Sequence, residues 1–191
     1  MSKELVVAHY NEDLSWLNFI KDNFKDVKIT VYSKTGKNGA ISLENVGRES
    51  HTYLTHIIRN YDNLCDHTVF VQGNPFEHCD INHIVKLLSF TGDIFPVFRI
   101  NPDGREKFVN IESKYPVKDS NGNMGDWWRI VFGKPIQNVY AVWNAQFTVA
   151  KHLIRSNSLE FYENAVLTVN HDRTPEEAHF FERAWGSLFL K

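Results

Sequence analysis

The feature that most constrains the fold of this chain is the alternation of short, uninterrupted apolar runs with helical stripes over its first 72 residues. Residues 4 to 9 carry Leu5-Val6-Val7-Ala8, an unbroken apolar run of the kind a strand covered on both faces requires. Asp13 can cap a following helix in which Leu14, Leu17 and Ile20, with Trp16, share one broad face. Val27 to Tyr32 alternates apolar with polar residues as a second strand, and Ser33 to Gly39 is a turn-rich loop with two glycines and two lysines. From Arg48 the spacing of Tyr53 or Leu54, Ile57, Ile58 and Tyr61 marks a second helix, and Thr68 to Val71 is again a continuous apolar strand. This β-α-β-α-β order predicts an α/β domain with a Rossmann-like, mainly parallel central sheet and helices on both faces.

Beyond that core, Ile81, Ile84, Val85 and Leu88 form another helical stripe, and Ile94 to Ile100 reads as a strand that Pro96 confines to an edge. Asn101 to Asp126 is rich in Gly, Pro, Asn, Asp and Lys and has little periodicity, so it reads as a long functional connection, a lid or an acceptor loop. Trp127 and Trp128 follow, then a strand from Val139 to Trp143, the segment Ala145 to Ala150, a helix from about Leu153 and a last helix from Pro175 to Leu190. Pro175 suits the first turn of that helix, with Thr174 as its cap and Glu177 near the capping-box position. At 191 residues the chain is expected to be a single domain large enough to bury a core without staples.

Composition narrows the partners. The 21 basic and 23 acidic residues are interspersed and leave a net charge of −2, so no basic face is offered to nucleic acid and no polybasic anchor to a membrane. No apolar run approaches the roughly 18 residues of a spanning helix, so no membrane segment is expected. Met1-Ser2-Lys3-Glu4 runs straight into the first strand without the pattern of a signal peptide, which predicts a cytoplasmic, non-secreted protein. Cys65 and Cys79 are too few to scaffold the domain and are expected to be free thiols. A small molecule or a glycan is the partner these properties leave.

Two stretches carry chemistry. Asn45-Val46-Gly47-Arg48-Glu49-Ser50-His51 places a glycine and an arginine at a helix N-terminus, where unpaired N–H groups and the helix dipole favour an anion such as a diphosphate. Gly47 lets the backbone approach closely, Arg48 offers a planar fork of donors, and Lys34 and Lys37 can fold over from the preceding loop. Taken alone, an arginine in a first helical turn is more often a solvated or salt-bridged side chain. The second stretch, Val69 to His78, puts Gln72, Gly73 and Asn74, then Glu77 and His78, just beyond a buried strand, where open α/β sheets bind ligands. The first strand ends in His9-Tyr10-Asn11-Glu12-Asp13; Tyr10 can stack on a nucleobase and Asn11 or Asp13 can bond its edge, although ordinary packing explains Tyr10 equally well.

Three nucleotide-sugar roles can then be assigned to residues. A divalent metal at a departing diphosphate needs oxygen and imidazole ligands, for which Glu77 and His78 are candidates, with Asp80 nearby and His179 or His171 closing the shell from the last helix region. The aspartate-rich pair usual in metal-dependent glycosyltransferases is replaced by Gln72-Gly73-Asn74, so either Glu77 and His78 stand in for it or the metal is weakly bound or absent. For an acceptor sugar, Trp143-Asn144-Ala145-Gln146-Phe147 sets two amides among aromatics, and Trp127 and Trp128 can add a second stacking wall. The base that deprotonates the acceptor is Asp126 by first choice, with Asp80 and Glu163 behind it. Cys65, His67, His78, Cys79 and His83 match no common zinc spacing, and neither a phosphate-binding glycine loop nor a nucleophile elbow is present.

The segments Ala8 to Leu17, Asn45 to Leu54, Phe70 to Phe76, and Ala145-Gln146-Phe147 followed by Phe161-Tyr162-Glu163 resemble a family of mostly uncharacterised GT-A-like glycosyltransferase domains. That family is widespread in fungi and includes the N-terminal glycosyltransferase domain of a chlorella-virus protein that decorates the major capsid protein. The resemblance implies a GT-A-type fold with a nucleotide-sugar donor half at 1–100 and an acceptor half at 101–191. It further implies a UDP-sugar donor carrying a hexose or deoxyhexose, a divalent cation such as manganese (Mn2+), inversion at the sugar carbon, and a glycan or glycoprotein acceptor. By analogy with the viral member, that acceptor would be a capsid glycoprotein and the compartment the host cytoplasm. Two rival readings are a lectin-like module without catalysis, and a nucleotidyltransferase or hydrolase using the same sheet edge.

Overall fold

The computed structural model describes residues 1–100, 124–134 and 139–190. Its central sheet is built from β1 (Lys3–His9), β2 (Val27–Ser33), β3 (Ile41–Ser42), β4 (His67–Gln72), β5 (Ile94–Phe95) and β8 (Phe147–Ala150), in the order β3-β2-β1-β4-β8-β5. The first four are mutually parallel, whereas β8 runs antiparallel to both β4 and β5. The sheet is therefore mixed and mainly parallel. A separate ribbon pairs β6 (Phe98–Ile100) with β7 (Val139–Ala141). The predicted strand from Ile94 to Ile100 is thus two strands in two sheets. The break falls at the cis peptide between Phe95 and Pro96, a residue with no N–H to give a ladder, and β5 is the sheet edge as the proline implied.

Helices α1 (Trp16–Asn23) and α3 (Ile81–Ser89) cover one face, over Leu5, Val7, Val69 and Val71. On the other face α2 (Arg48–Asn60), α4 (Met124–Phe132), α6 (Leu159–Leu167) and α7 (Glu176–Phe189) enclose a larger aromatic core with Tyr53, Phe70, Phe147, Phe181 and Trp185 fully buried. The short α5 (Lys151–Ile154) follows β8 directly. Strand parity explains the division, since even-numbered residues of β1 and β4 face α2 and odd-numbered ones face α1 and α3. Among the described residues no helix is long and apolar enough to cross a membrane.

The C-terminal half departs from expectation in several places. Trp127 and Trp128 form no sugar-stacking wall: they are 4% and 3% exposed, packed on Phe180, Phe181 and Phe132, and the Trp127 indole donates to Thr168 Oγ1 at 3.1 Å. An aromatic pair beside a glycine-rich loop looks the same in sequence whether it faces a ligand or a core. The predicted strand to Trp143 stops at Ala141, with Trp143–Ala145 forming a 3-10 turn. Pro175, not Thr174, occupies the cap position of α7. Residues 101–123 of the long connection lie outside the described residues, and 124–126 already belong to α4.

The chain leaves β1 through α1 to β2 on one side, and returns through α2 to β4 on the other side of β1. The winding direction therefore reverses between β1 and β4, and in open α/β sheets the crevice beyond the strands' carboxyl ends at such a point is where ligands bind. The register brings those ends level, with Ala8 opposite Gln72 and His9 opposite Ser33. Gln146, immediately before the antiparallel β8, arrives at the same edge because Phe147 pairs with Phe70.

Candidate functional site

A cavity of about 290 Å³ opens at this switch point. Its walls come from the end of β1 (His9, Tyr10, Glu12), from Lys34 beyond β2, from Asn45, Arg48 and Glu49 at the start of α2, from Gln72, Asn74 and Glu77 beyond β4, and from Arg173 and Thr174 before α7. Of the residues expected to grip a nucleotide, His9, Tyr10, Arg48, Gln72 and Asn74 are brought together here.

The floor is held by hydrogen bonds that fix its polar groups. Buried His9 has Nε2 3.2 Å from the Glu12 carbonyl and Nδ1 2.9 Å from Ser33 Oγ. Since a carbonyl only accepts, Nε2 carries the proton, and in the neutral ring Nδ1 takes the serine hydroxyl's hydrogen. Both ring nitrogens are thus spent on the scaffold. The Glu12 carboxylate accepts from Tyr10 N–H at 2.7 Å and lies where a Cβ on Gly73 would come, at 2.4 Å, so Gly73 makes room for Glu12 rather than for a ligand. Trp16 donates to the Gly73 carbonyl at 2.9 Å and so ties the loop after β4 to α1.

At the start of α2, Gly47 (φ 61°) and Arg48 (φ 48°) both adopt left-handed backbone. For arginine that conformation is uncommon and costs energy the surroundings must supply. Lys34 supplies some of it, its ammonium donating to the Val46 carbonyl and, at 2.5 Å, to the Arg48 carbonyl. Burial brings the Lys34 ammonium down to about 8, with Glu49 opposing the shift. The half-exposed Arg48 guanidinium lies 3.6 Å from Glu49, and the Arg173 guanidinium sits over the Tyr10 ring, 4.9 Å from its centroid.

Other expected site residues lie elsewhere. Asn11 and Lys37 do not line the cavity, and the exposed Asp13 carboxylate is committed to the Ser15 N–H and hydroxyl at 2.9 and 2.5 Å, which hold it below the usual carboxylate range. Gly47 packs against Val169 rather than lining the cavity. Asp80 caps α3 by accepting from His83 N–H at 2.9 Å, and Asp126 is exposed on α4, 2.8 Å from Arg129. Neither aspartate lines this cavity, and Glu163 is exposed on α6. The three proposed metal ligands are divided. Glu77 faces this cavity, His78 faces a second one, and His179 is half-buried on α7, where burial first and then Arg48 lower its affinity for a proton.

Among the described residues no three His, Cys, Asp or Glu side chains are gathered to hold a metal ion. Two of the carboxylates in the wall are also engaged, Glu12 with the Tyr10 backbone and Glu49 with Arg48, while Glu77 accepts from Asn74 at 3.4 Å through one oxygen only. This donor set does not fit the divalent cation that the family resemblance implies, nor a zinc site.

A second cavity of about 630 Å³ lies on the other side of the 75–77 turn. It is lined by Phe95, Pro96, Phe98 and Trp143 with His78, His83, Asn144 and Gln146. Trp143 and Phe98 are 39% and 48% exposed. Gln146 is 2% exposed; its amide donates to the Pro75 carbonyl at 3.0 Å and its oxygen accepts from the Cys79 thiol at 3.1 Å, so it braces the turn between the cavities.

Glu12, Glu49, Asn45, Arg173 and Thr174 complete the first cavity without having been singled out as ligand-binding residues. Glu12, Asn45 and Glu49 stood inside the segments that carry the resemblance, and Thr174 was read only as a helix cap; Arg173 carried no signal, since only the fold brings the approach to α7 beside Tyr10. The class defined so far is an α/β domain with a charged, amide-rich crevice at its switch point. A family profile described as "Protein of unknown function (DUF3431)" matches residues 5–90, a span that contains every lining residue of this crevice except Arg173 and Thr174. No curated protein and no solved structure matches the chain.

Proposed function

We propose that this protein is a glycosyltransferase of GT-A type, moving a hexose or deoxyhexose from a UDP-sugar to a hydroxyl of a glycan or glycoprotein. The observation that carries the reading is the assembly, at the switch point between β1 and β4, of an aromatic face (Tyr10), amides (Asn45, Gln72, Asn74) and cations (Lys34, Arg48, Arg173) around one cavity. Tyr10 offers the base a stacking surface, the amides offer bonds to its edge and to ribose, and the cations offset the charge of the diphosphate. The adjoining cavity, with Trp143 and Phe98 exposed beside Asn144 and His78, suits an acceptor sugar.

The carboxylate on the turn between the two cavities is Glu77. In the reaction, the acceptor oxygen forms a bond to the anomeric carbon as the bond from that carbon to the phosphate oxygen breaks. Glu77 takes the hydroxyl proton and UDP leaves with the bonding pair. Direct displacement inverts the sugar carbon. Asp80 and Asp126, the earlier choices for this role, serve a helix cap and a surface ion pair.

Calorimetric titration with UDP-, GDP- and CMP-sugars, with manganese and again with chelator, is expected to show selective binding of a UDP-sugar. Arg48→Ala should weaken it by about 10-fold or more, the worth of a lost charge-assisted bond. UDP release should then depend on added glycan acceptor and fall in Glu77→Gln. Binding without turnover would favour the lectin-like reading, and release without acceptor a hydrolase. Absence of binding by every nucleotide sugar removes the proposal.

A further inference from the structure

Of the cavity's cations, Lys34 follows β2 and Arg48 opens α2, whereas Arg173 comes from the loop before α7, where its neighbours fix its position. The loop before α7 is pinned to the α2 N-terminus by the Gly47 N–H, which donates to the Asp172 carbonyl at 2.8 Å. It is closed on itself by Thr174 N–H donating to Asp172 Oδ1 at 2.8 Å. The residue between Asp172 and Thr174 is thereby delivered to the ring of Tyr10, where a flat guanidinium covers the same face that a flat nucleobase would use. No carboxylate is paired with Arg173 among the ion pairs of the described residues, in contrast to Arg48, which Glu49 accompanies.

We infer that Arg173 is an exchangeable plug of the donor cavity: its guanidinium occupies the Tyr10 face until a nucleobase displaces it, and it then turns to the diphosphate of the same ligand. The inference rests on the nucleotide-sugar reading of this cavity and adds a specificity element to it. A nucleoside must evict the guanidinium and gives nothing back, whereas a nucleoside diphosphate evicts it and rebinds it by charge-assisted hydrogen bonds. The plug therefore selects for ligands that carry both a planar base and a phosphate chain. Thr174, also in the wall, is placed to add a hydroxyl beside the phosphates.

The two ligand classes should respond to the loss of Arg173 with opposite signs, which a merely structural side chain would not produce. Titrating the full chain in chelator with uridine and with UDP, Arg173→Ala is expected to tighten uridine by about two- to five-fold, the worth of an exposed cation–π contact. It should weaken UDP by about two- to five-fold net, the roughly 10-fold worth of one charged phosphate contact less the same gain from the vacated Tyr10 face. Arg173→Lys should restore part of the UDP affinity, since it keeps the charge but not the planar stack. Uridine weakened along with UDP would mean that Arg173 stacks on the base and would overturn the plug, as would no change in either. Wild-type protein that binds neither ligand would defeat the nucleotide reading itself, and a wild type that binds UDP only when manganese is added would give the phosphate role to a metal and overturn this one.

Discussion

Gly47→Ala is expected to lower the unfolding free energy by about 2–5 kcal/mol and to abolish nucleotide binding before the fold is lost. Two costs combine. A non-glycine residue at φ 61° pays about 1–2 kcal/mol for the left-handed backbone. The added Cβ would also stand 2.4 Å from the Val169 carbonyl oxygen and 2.7 Å from His51 Cβ, so a backbone must move, at the roughly 1–3 kcal/mol typical of overpacking. Gly36 separates the two terms, since its φ of 72° is similar but nothing lies within 4 Å of its Cβ position. Gly36→Ala should therefore cost only the backbone term in a denaturant titration. Equal losses in the two variants would show that the approach of Val169 is not rigid. The functional loss follows from the same contact, because Gly47 N–H holds the Asp172 carbonyl and with it the loop that carries Arg173.

Gly47 also shows how much of this protein was legible in sequence. Its place at the head of α2 followed from the stripe beginning at Arg48, and a close approach at this glycine was expected, but of a diphosphate; that the approaching group is the Val169 backbone was not legible, because the contact spans the chain. Three of the four parallel strands were readable, β1 and β4 from continuous apolar runs and β2 from alternation, whereas the two-residue β3 is too short to leave a pattern; the level ends of β1, β2 and β4 then placed His9, Tyr10, Lys34 and Gln72 around one point. The antiparallel β8 was not readable, since a buried run such as Phe147–Ala150 looks the same in either direction. Carboxylates were the least legible. Asp13, Asp80 and Asp126 are all near segments that suggest chemistry, yet each is engaged by a turn, a cap or a neighbouring arginine, and short-range partners of this kind are the usual fate of an exposed aspartate.

Acidification is expected to destabilise the protein between about pH 6.5 and 4, through two histidines of α2. His56 is fully buried, with Nδ1 3.2 Å from the Tyr32 hydroxyl and Nε2 3.7 Å from buried Glu4; burial lowers it to about 4, the Glu4 carboxylate opposes that shift and Lys28 adds to it. His51, beside the Gly47 turn, is likewise lowered to about 4, by burial first and then by Lys34 and Arg59. In the unfolded chain both rings take a proton near 6.5, so between 6.5 and 4 the unfolded state binds more protons and stability falls with pH. The contribution is complete above 6.5 and is lost as pH falls through 4. A shift of this size corresponds to about 3 kcal/mol for His56 and, discounted for solvent screening, to about half that for His51. Urea midpoints measured from pH 7 to 4 should drop accordingly, and His56→Gln, which removes the larger titration, should flatten the slope whatever its own cost at pH 7. A slope unchanged in that variant would mean that the Glu4 carboxylate accepts His56 as a charged partner in the fold. Because His51 supports the turn on which Arg48 stands, nucleotide affinity is expected to decline over the same interval, ahead of global unfolding.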